Sequence, residues 1–89
     1  MRRRCALHMF YAYILKSKKN GRLYVGSTNN LRRRFTEHNQ GNGGEFTKKN
    51  RPFELIYYEA YTAYALAKKA ERFYKTGYGR EVLKSKFEK

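Results

Sequence analysis

The chain has a single cysteine, Cys5, so no internal disulfide can form. Only His8 and His38 accompany it, which excludes a structural zinc site of the usual Cys/His kind. Proline is nearly as rare: Pro52 stands alone, and because proline sits poorly inside a strand it marks the close of a loop. Acidic residues are scarce as well, 7 against 21 lysines and arginines. No long lysine-bearing amphipathic helix is available to lie on a membrane surface. Met1-Arg2-Arg3-Arg4 and the apolar residues after it imitate a signal peptide. His8 interrupts that stretch, no clear small-residue cleavage site follows, and the segment runs straight into the first predicted strand. There are no repeats, no linker and no second domain. These absences leave one cytoplasmic domain over residues 9–89 behind a basic leader over residues 1–8, with a monomer favoured and no small-molecule cofactor implied.

What is present is charge and aromatic surface. The formal charge is +14, and nine tyrosines and six phenylalanines contribute to a hydrophobic fraction of 40%. A chain of 89 residues with that fraction can bury one core without staples. Self-repulsion at this charge costs stability and usually marks a protein that binds a polyanion. Basic and aromatic residues interleave along the chain, which makes nucleic acid the leading partner, DNA ahead of RNA.

The stretch from Tyr11 to His38 organises the rest. Met9 to Leu15 is a continuous apolar and aromatic run, as expected for a strand buried on both faces. Asn20-Gly21 suits a type I′ hairpin turn, and Leu23 to Ser27 returns as a second strand. A turn centred there sets Tyr13 opposite Thr28 and Tyr24 opposite Ser17. The two-residue period puts Tyr11, Tyr13, Tyr24 and Gly26 on one face, and Ala12, Ile14, Leu23 and Val25 on the other. A helix follows, capped by Asn29 or Asn30. Leu31 and Phe35, and likewise Arg34 and His38, are four apart and share one side of it. Arg34 is thereby held beside the apolar seam, whereas Arg32 and Arg33 point into solvent.

Asn39 to Asn50 reads as a loop, begun by glycines that end the helix and carrying Lys48 and Lys49 ahead of Arg51, placed to lie against phosphates. Phe53 to Ala60 is a third strand. Thr62 is the expected cap of a second long helix, whose apolar face collects Ala63, Leu66, Ala67, Ala70, Phe73 and Tyr74. Glu71 borders that face, where a carboxylate can be partly buried. Gly77 and Gly79 are expected to break the helix before a final one over Arg80 to Phe87. The fold class is α+β, a small three-stranded antiparallel sheet flanked by helices in the order ββαβαα.

Tyr11-Ala12-Tyr13, Tyr24-Val25-Gly26 and Asn30-Leu31-x-x-Arg34-x-x-x-His38 together resemble the GIY-YIG nuclease domain, in its small single-domain members. The similarity runs from Phe10 through Arg51-Pro52 to Glu71-Arg72-Phe73-Tyr74-Lys75, nearly the whole chain. The first signature departs from its name, with Tyr11 for Gly and Ala12 for Ile, but keeps the tyrosine at 13. The resemblance implies a metal-dependent endonuclease leaving 5′-phosphate and 3′-hydroxyl ends. Tyr13 would be the base toward water, Tyr24 would orient substrate or water, Arg34 would stabilise the phosphate, and Glu71 would hold one Mg²⁺ or Mn²⁺. His38 would relay a proton or donate to phosphate. Gly26 would let backbone or phosphate come close, and Lys48, Lys49 and Arg51 would bind substrate. The asparagine that often follows the metal glutamate has no counterpart, since no Asn lies beyond Asn50. A nucleic-acid binding module with little turnover, or an RNA-contacting accessory protein, accounts for the charge equally well. Only the nuclease reading explains why Tyr13, Tyr24, Arg34, His38 and Glu71 coexist.

Overall fold

The computed structural model describes residues 8–87, so the basic leader lies, apart from His8, outside the described residues. Strands β1 (Phe10–Ser17), β2 (Leu23–Thr28) and β3 (Phe53–Tyr61) form an antiparallel sheet in the order β2-β1-β3. Helices α1 (Leu31–Asn39) and α2 (Glu45–Asn50) lie between β2 and β3, and α3 (Tyr64–Lys75) and α4 (Gly77–Phe87) follow β3. The apolar run at β1 becomes the central strand, with Ala12, Tyr13, Ile14 and Leu15 all buried. Alternation then makes two cores. Tyr13, Leu15 and Phe53 pack with Leu31 and Phe35 of α1, while Ile14 and Val25 pack with Tyr74 of α3 and Leu83 of α4.

The hairpin register differs from the sequence expectation by two residues. Tyr13 faces Gly26 rather than Thr28, and Tyr24 faces Leu15 rather than Ser17. A two-residue type I′ turn needs positive φ at both central positions, but only Gly21 has it, at +79°. Instead Ser17 closes a longer turn. Its amide donates to the Arg22 carbonyl at 2.8 Å, and its hydroxyl accepts from the Lys19 and Asn20 amides at 3.1 and 3.2 Å. Such local side-chain bonds compete with the tighter turn and win here. Because the slip is two residues, every side chain keeps its predicted face.

Further corrections concern the helices. Residues 45–50 form α2 and are not loop; the segment is short and lacks an apolar period, so nothing in its pattern announced it. Asn30 caps α1 by accepting from the Arg33 amide at 3.0 Å, and Gly41 leaves the helix at φ +87°, as expected of a glycine there. Thr62 is not the cap of α3; Ala63 holds that position, with no side-chain cap. The buried seam of α3 is narrower than predicted, Ala67 and Tyr74 with Ala70 partly covered, whereas Leu66 and Phe73 stay exposed. Gly77 and Gly79 lie inside α4 and do not precede it. Thr76 starts that helix, its hydroxyl accepting from the Gly79 amide at 3.0 Å. Gly79 is needed for proximity: a Cβ there would run into the Phe73 carbonyl of the preceding helix.

Candidate active site around the edge strand

Five of the predicted residues converge on the α1 side of the sheet. The Tyr13 hydroxyl, from β1, lies 2.8 Å from His38 Nε2, from α1, and both side chains are fully buried. Tyr24 of β2 sets its ring edge-on to His38, with centroids 4.9 Å apart. Gly26 explains how this cluster fits, because a Cβ there would strike the Tyr13 hydroxyl and ring. Arg34 lies close enough to Tyr13 to favour its ionised form, though the arginine donates to Glu37 Oε1 at 2.9 Å and to the Gly43 carbonyl at 3.5 Å. Arg32 and Arg33 are exposed, as predicted.

Burial dominates the electrostatics. It raises the Tyr13 phenol well above its usual range, with the neighbouring Tyr24 adding to the effect and Arg34 opposing it. Burial also lowers His38 from 6.5 to about 4, helped by Arg34 and opposed by Glu37, so the imidazole is neutral at pH 7. With His38 neutral and its proton on Nδ1, Nε2 accepts from the Tyr13 hydroxyl. Nδ1 is then buried and has no hydrogen-bond partner. It points at the Gly43 Cα, where a Cβ would collide with it. Gly43, the buried Thr47 beside it, and Glu37 are parts of the cluster that the sequence reading missed. Glu37 was detectable from its spacing to Arg34; the Gly43 contact depends on the loop path alone.

Glu71 approaches from the other side of the sheet. Its side chain, 13% exposed, accepts from the Ser27 hydroxyl at 2.5 Å, from Lys68 at 3.0 Å and from Lys75 at 2.8 Å. Burial works against its ionised form, but Lys75, Ser27 and Lys68 overcome it and pull the carboxyl down to about 2. Its charge still reaches Tyr13. The two halves lie next to each other because β2 is an edge strand, on which the neighbours Gly26 and Ser27 face opposite sides.

An ionised carboxylate is a hard oxygen donor of the kind a divalent ion takes, with water and phosphate as its remaining ligands. An ion on Glu71 would have to displace Lys68 or Lys75 from its oxygens. Among the described residues no cluster of three or more His, Cys, Asp or Glu is placed to hold a metal, so Glu71 would be the protein's one contribution. Lys48 and Lys49 sit exposed on the last turn of α2, and Arg51 lays its guanidinium across Gly41.

Comparison with known proteins shows the family and the fold. The family model of the GIY-YIG catalytic domain matches residues 9–85. The UPF0213 protein of Bacillus pumilus is 41% identical over 69 residues, 78% of this chain and 69% of that protein. UPF0213 protein SH2523 of Staphylococcus haemolyticus is 39% identical over 74 residues, 83% of this chain and 89% of its own length. The solution structure of the UPF0213 protein BH0048 from Bacillus halodurans superposes with a TM-score of 0.53 at 31% identity, covering 89% of this chain and 85% of that one.

Proposed function

Because the chain belongs to the GIY-YIG catalytic domain family, a nuclease-type family, we propose that it is a metal-dependent endonuclease. It hydrolyses phosphodiester bonds in nucleic acid, foremost structured or damaged DNA, in the cytoplasm. The observation that carries this reading is the Tyr13–His38 pair, joined at 2.8 Å with Arg34 close by. A phenol, a neutral imidazole and a guanidinium meeting at one point supply a proton acceptor and a phosphate ligand together, which supports the nuclease reading.

Tyr13 cannot stand as a phenolate at neutral pH, since burial holds its proton on. It can act as a base only if its own proton leaves as the water's proton arrives. His38 Nε2 is the acceptor within reach and is kept neutral for that purpose. The attacking water gives a proton to the Tyr13 oxygen and the Tyr13 proton passes to Nε2. The hydroxide oxygen bonds to phosphorus as the bond from phosphorus to the 3′ oxygen breaks, and that leaving oxygen takes a proton from solvent water to become the 3′-hydroxyl. Arg34 exchanges Glu37 for two phosphate oxygens, which its planar fork can grip together. Tyr24 orients the substrate at the cluster's open side. Glu71 would hold Mg²⁺ or Mn²⁺, which when bound supplies positive charge at the scissile phosphate and the leaving oxygen. Lys68 and Lys75 keep the carboxylate ionised until then.

A second reading, a binding module with little turnover, draws on the 1% exposure of Tyr13. The deciding experiment incubates the purified protein with a panel of structured DNA and RNA substrates, with and without Mg²⁺ or Mn²⁺. We expect metal-dependent cleavage, reduced at least about 100-fold in Glu71→Gln measured where that variant is still folded. Equal cutting by Glu71→Gln would remove the metal assignment. No cutting by the wild type with either ion would put the binding module in the enzyme's place.

A further inference from the structure

A groove of about 590 Å³ runs along the free edge of β2, between α2 on one side and α3 and α4 on the other. Tyr24 lines it from one face of the sheet, and Leu23 and Val25 line it from the opposite face, so the groove wraps around the edge strand itself. Its polar lining is cationic: Arg22, Lys75, Arg80 and Lys84, with no acidic side chain among them. Arg22, Arg80 and Lys84 are exposed and form no ion pair among the described residues. At one end Phe46 of α2 stacks on Tyr24 with ring centroids 5.8 Å apart, yet stays 36% exposed.

The groove is continuous with both halves of the site. Tyr24 belongs to it and to the Tyr13–His38 cluster. Lys75 belongs to it and also donates to Glu71. We propose that this groove is the track for one strand of the nucleic-acid substrate, unpaired over the stretch it occupies, with phosphates on Arg80, Lys84, Arg22 and Lys75 and a base stacked on Phe46. The proposal rests on the nuclease reading and adds where the strand lies. Charge complementarity selects a polyanion as occupant. The aromatic and apolar lining selects a strand whose base faces are free, because in a duplex those faces are stacked on one another and only base edges and the backbone are presented to a protein.

The track is therefore built from α4 and the β2 edge, whereas the sequence placed substrate binding on Lys48, Lys49 and Arg51. Both sets are basic, so a contrast between them is the informative measurement. Binding of a fluorescein-labelled single-stranded oligonucleotide is followed by anisotropy at fixed salt, without added divalent ion. The proteins are wild type, Arg80→Glu with Lys84→Glu, Lys48→Glu with Lys49→Glu, and Phe46→Ala, each checked for an unchanged melting curve. Reversing the two α4 charges should weaken binding at least about 10-fold, and clearly more than reversing the α2 pair. Phe46→Ala should weaken the single strand about 10-fold while sparing a duplex of the same sequence. Equal losses from the two reversed pairs would overturn the groove assignment and leave the nuclease reading standing. A wild type that binds no nucleic acid would instead overturn the nuclease reading, and the track with it. Displacement of the oligonucleotide by poly-glutamate of equal charge, at equal concentration, would make an acidic peptide the occupant.

Discussion

Burial drives the ionisations of Tyr13 and His38 toward the same end, a neutral pair. The phenol is raised and the imidazole lowered, so neither carries charge at pH 7. The pair has a consequence for stability. His38 titrates at about 4 in the folded chain against an ordinary 6.5, so between those values the unfolded chain binds the extra proton. Stability from His38 is thus fully present above pH 6.5 and is lost as the pH falls toward 4. Denaturant titrations at intervals across that window should show the midpoint falling with acid. His38→Gln, which has no proton to gain, should flatten the fall even if it lowers the plateau. An unchanged slope in the variant would mean that another group is responsible. Glu71 acts in a lower window: held at about 2 against an ordinary 4.5, it loses its contribution only as the pH falls through that range.

The crossing of α3 and α4 depends on one glycine. A Cβ on Gly79 would meet the Phe73 carbonyl and the Tyr74 Cα, both backbone, so the two helices would have to separate. Gly79→Ala should cost about 1–3 kcal/mol, the usual range for overpacking. Gly77 has open space around it, and Gly77→Ala should be neutral or stabilise by up to about 1 kcal/mol. Comparable effects at the two positions in chemical denaturation would contradict this packing. Sequence pattern treated both glycines as breakers because periodicity registers a glycine and not the backbone that approaches it. The same contrast holds elsewhere. The faces of β1 and β2 were legible from alternation, and Glu71 from its place at the border of an apolar helix face. The hairpin register was not, because the Ser17 hydroxyl decides it through contacts with the turn amides. Nor was α2, which has no apolar period, or the Gly43–His38 contact, which depends on how a loop returns.

At the scale of the whole molecule, a chain with 21 basic residues folds so that the candidate site residues gather at one edge of the sheet. β1 supplies Tyr13, β2 supplies Tyr24 and Gly26, α1 supplies Arg34 and His38, and α3 supplies Glu71. Tyr13 and His38 are 25 residues apart in the chain and meet only because α1 packs on the central strand. Working as one base, as proposed, would therefore be a property of the folded protein, and a double-mutant cycle measures it most directly. Single-turnover cleavage would be compared for the wild type, Tyr13→Phe, His38→Gln and the double variant, with binding and melting checked in each. If the proton passes through both groups, each single variant loses at least about 100-fold and the double loses little more. Losses that multiply, or a Tyr13→Phe protein that cuts as well as the wild type, would contradict the pair as the base.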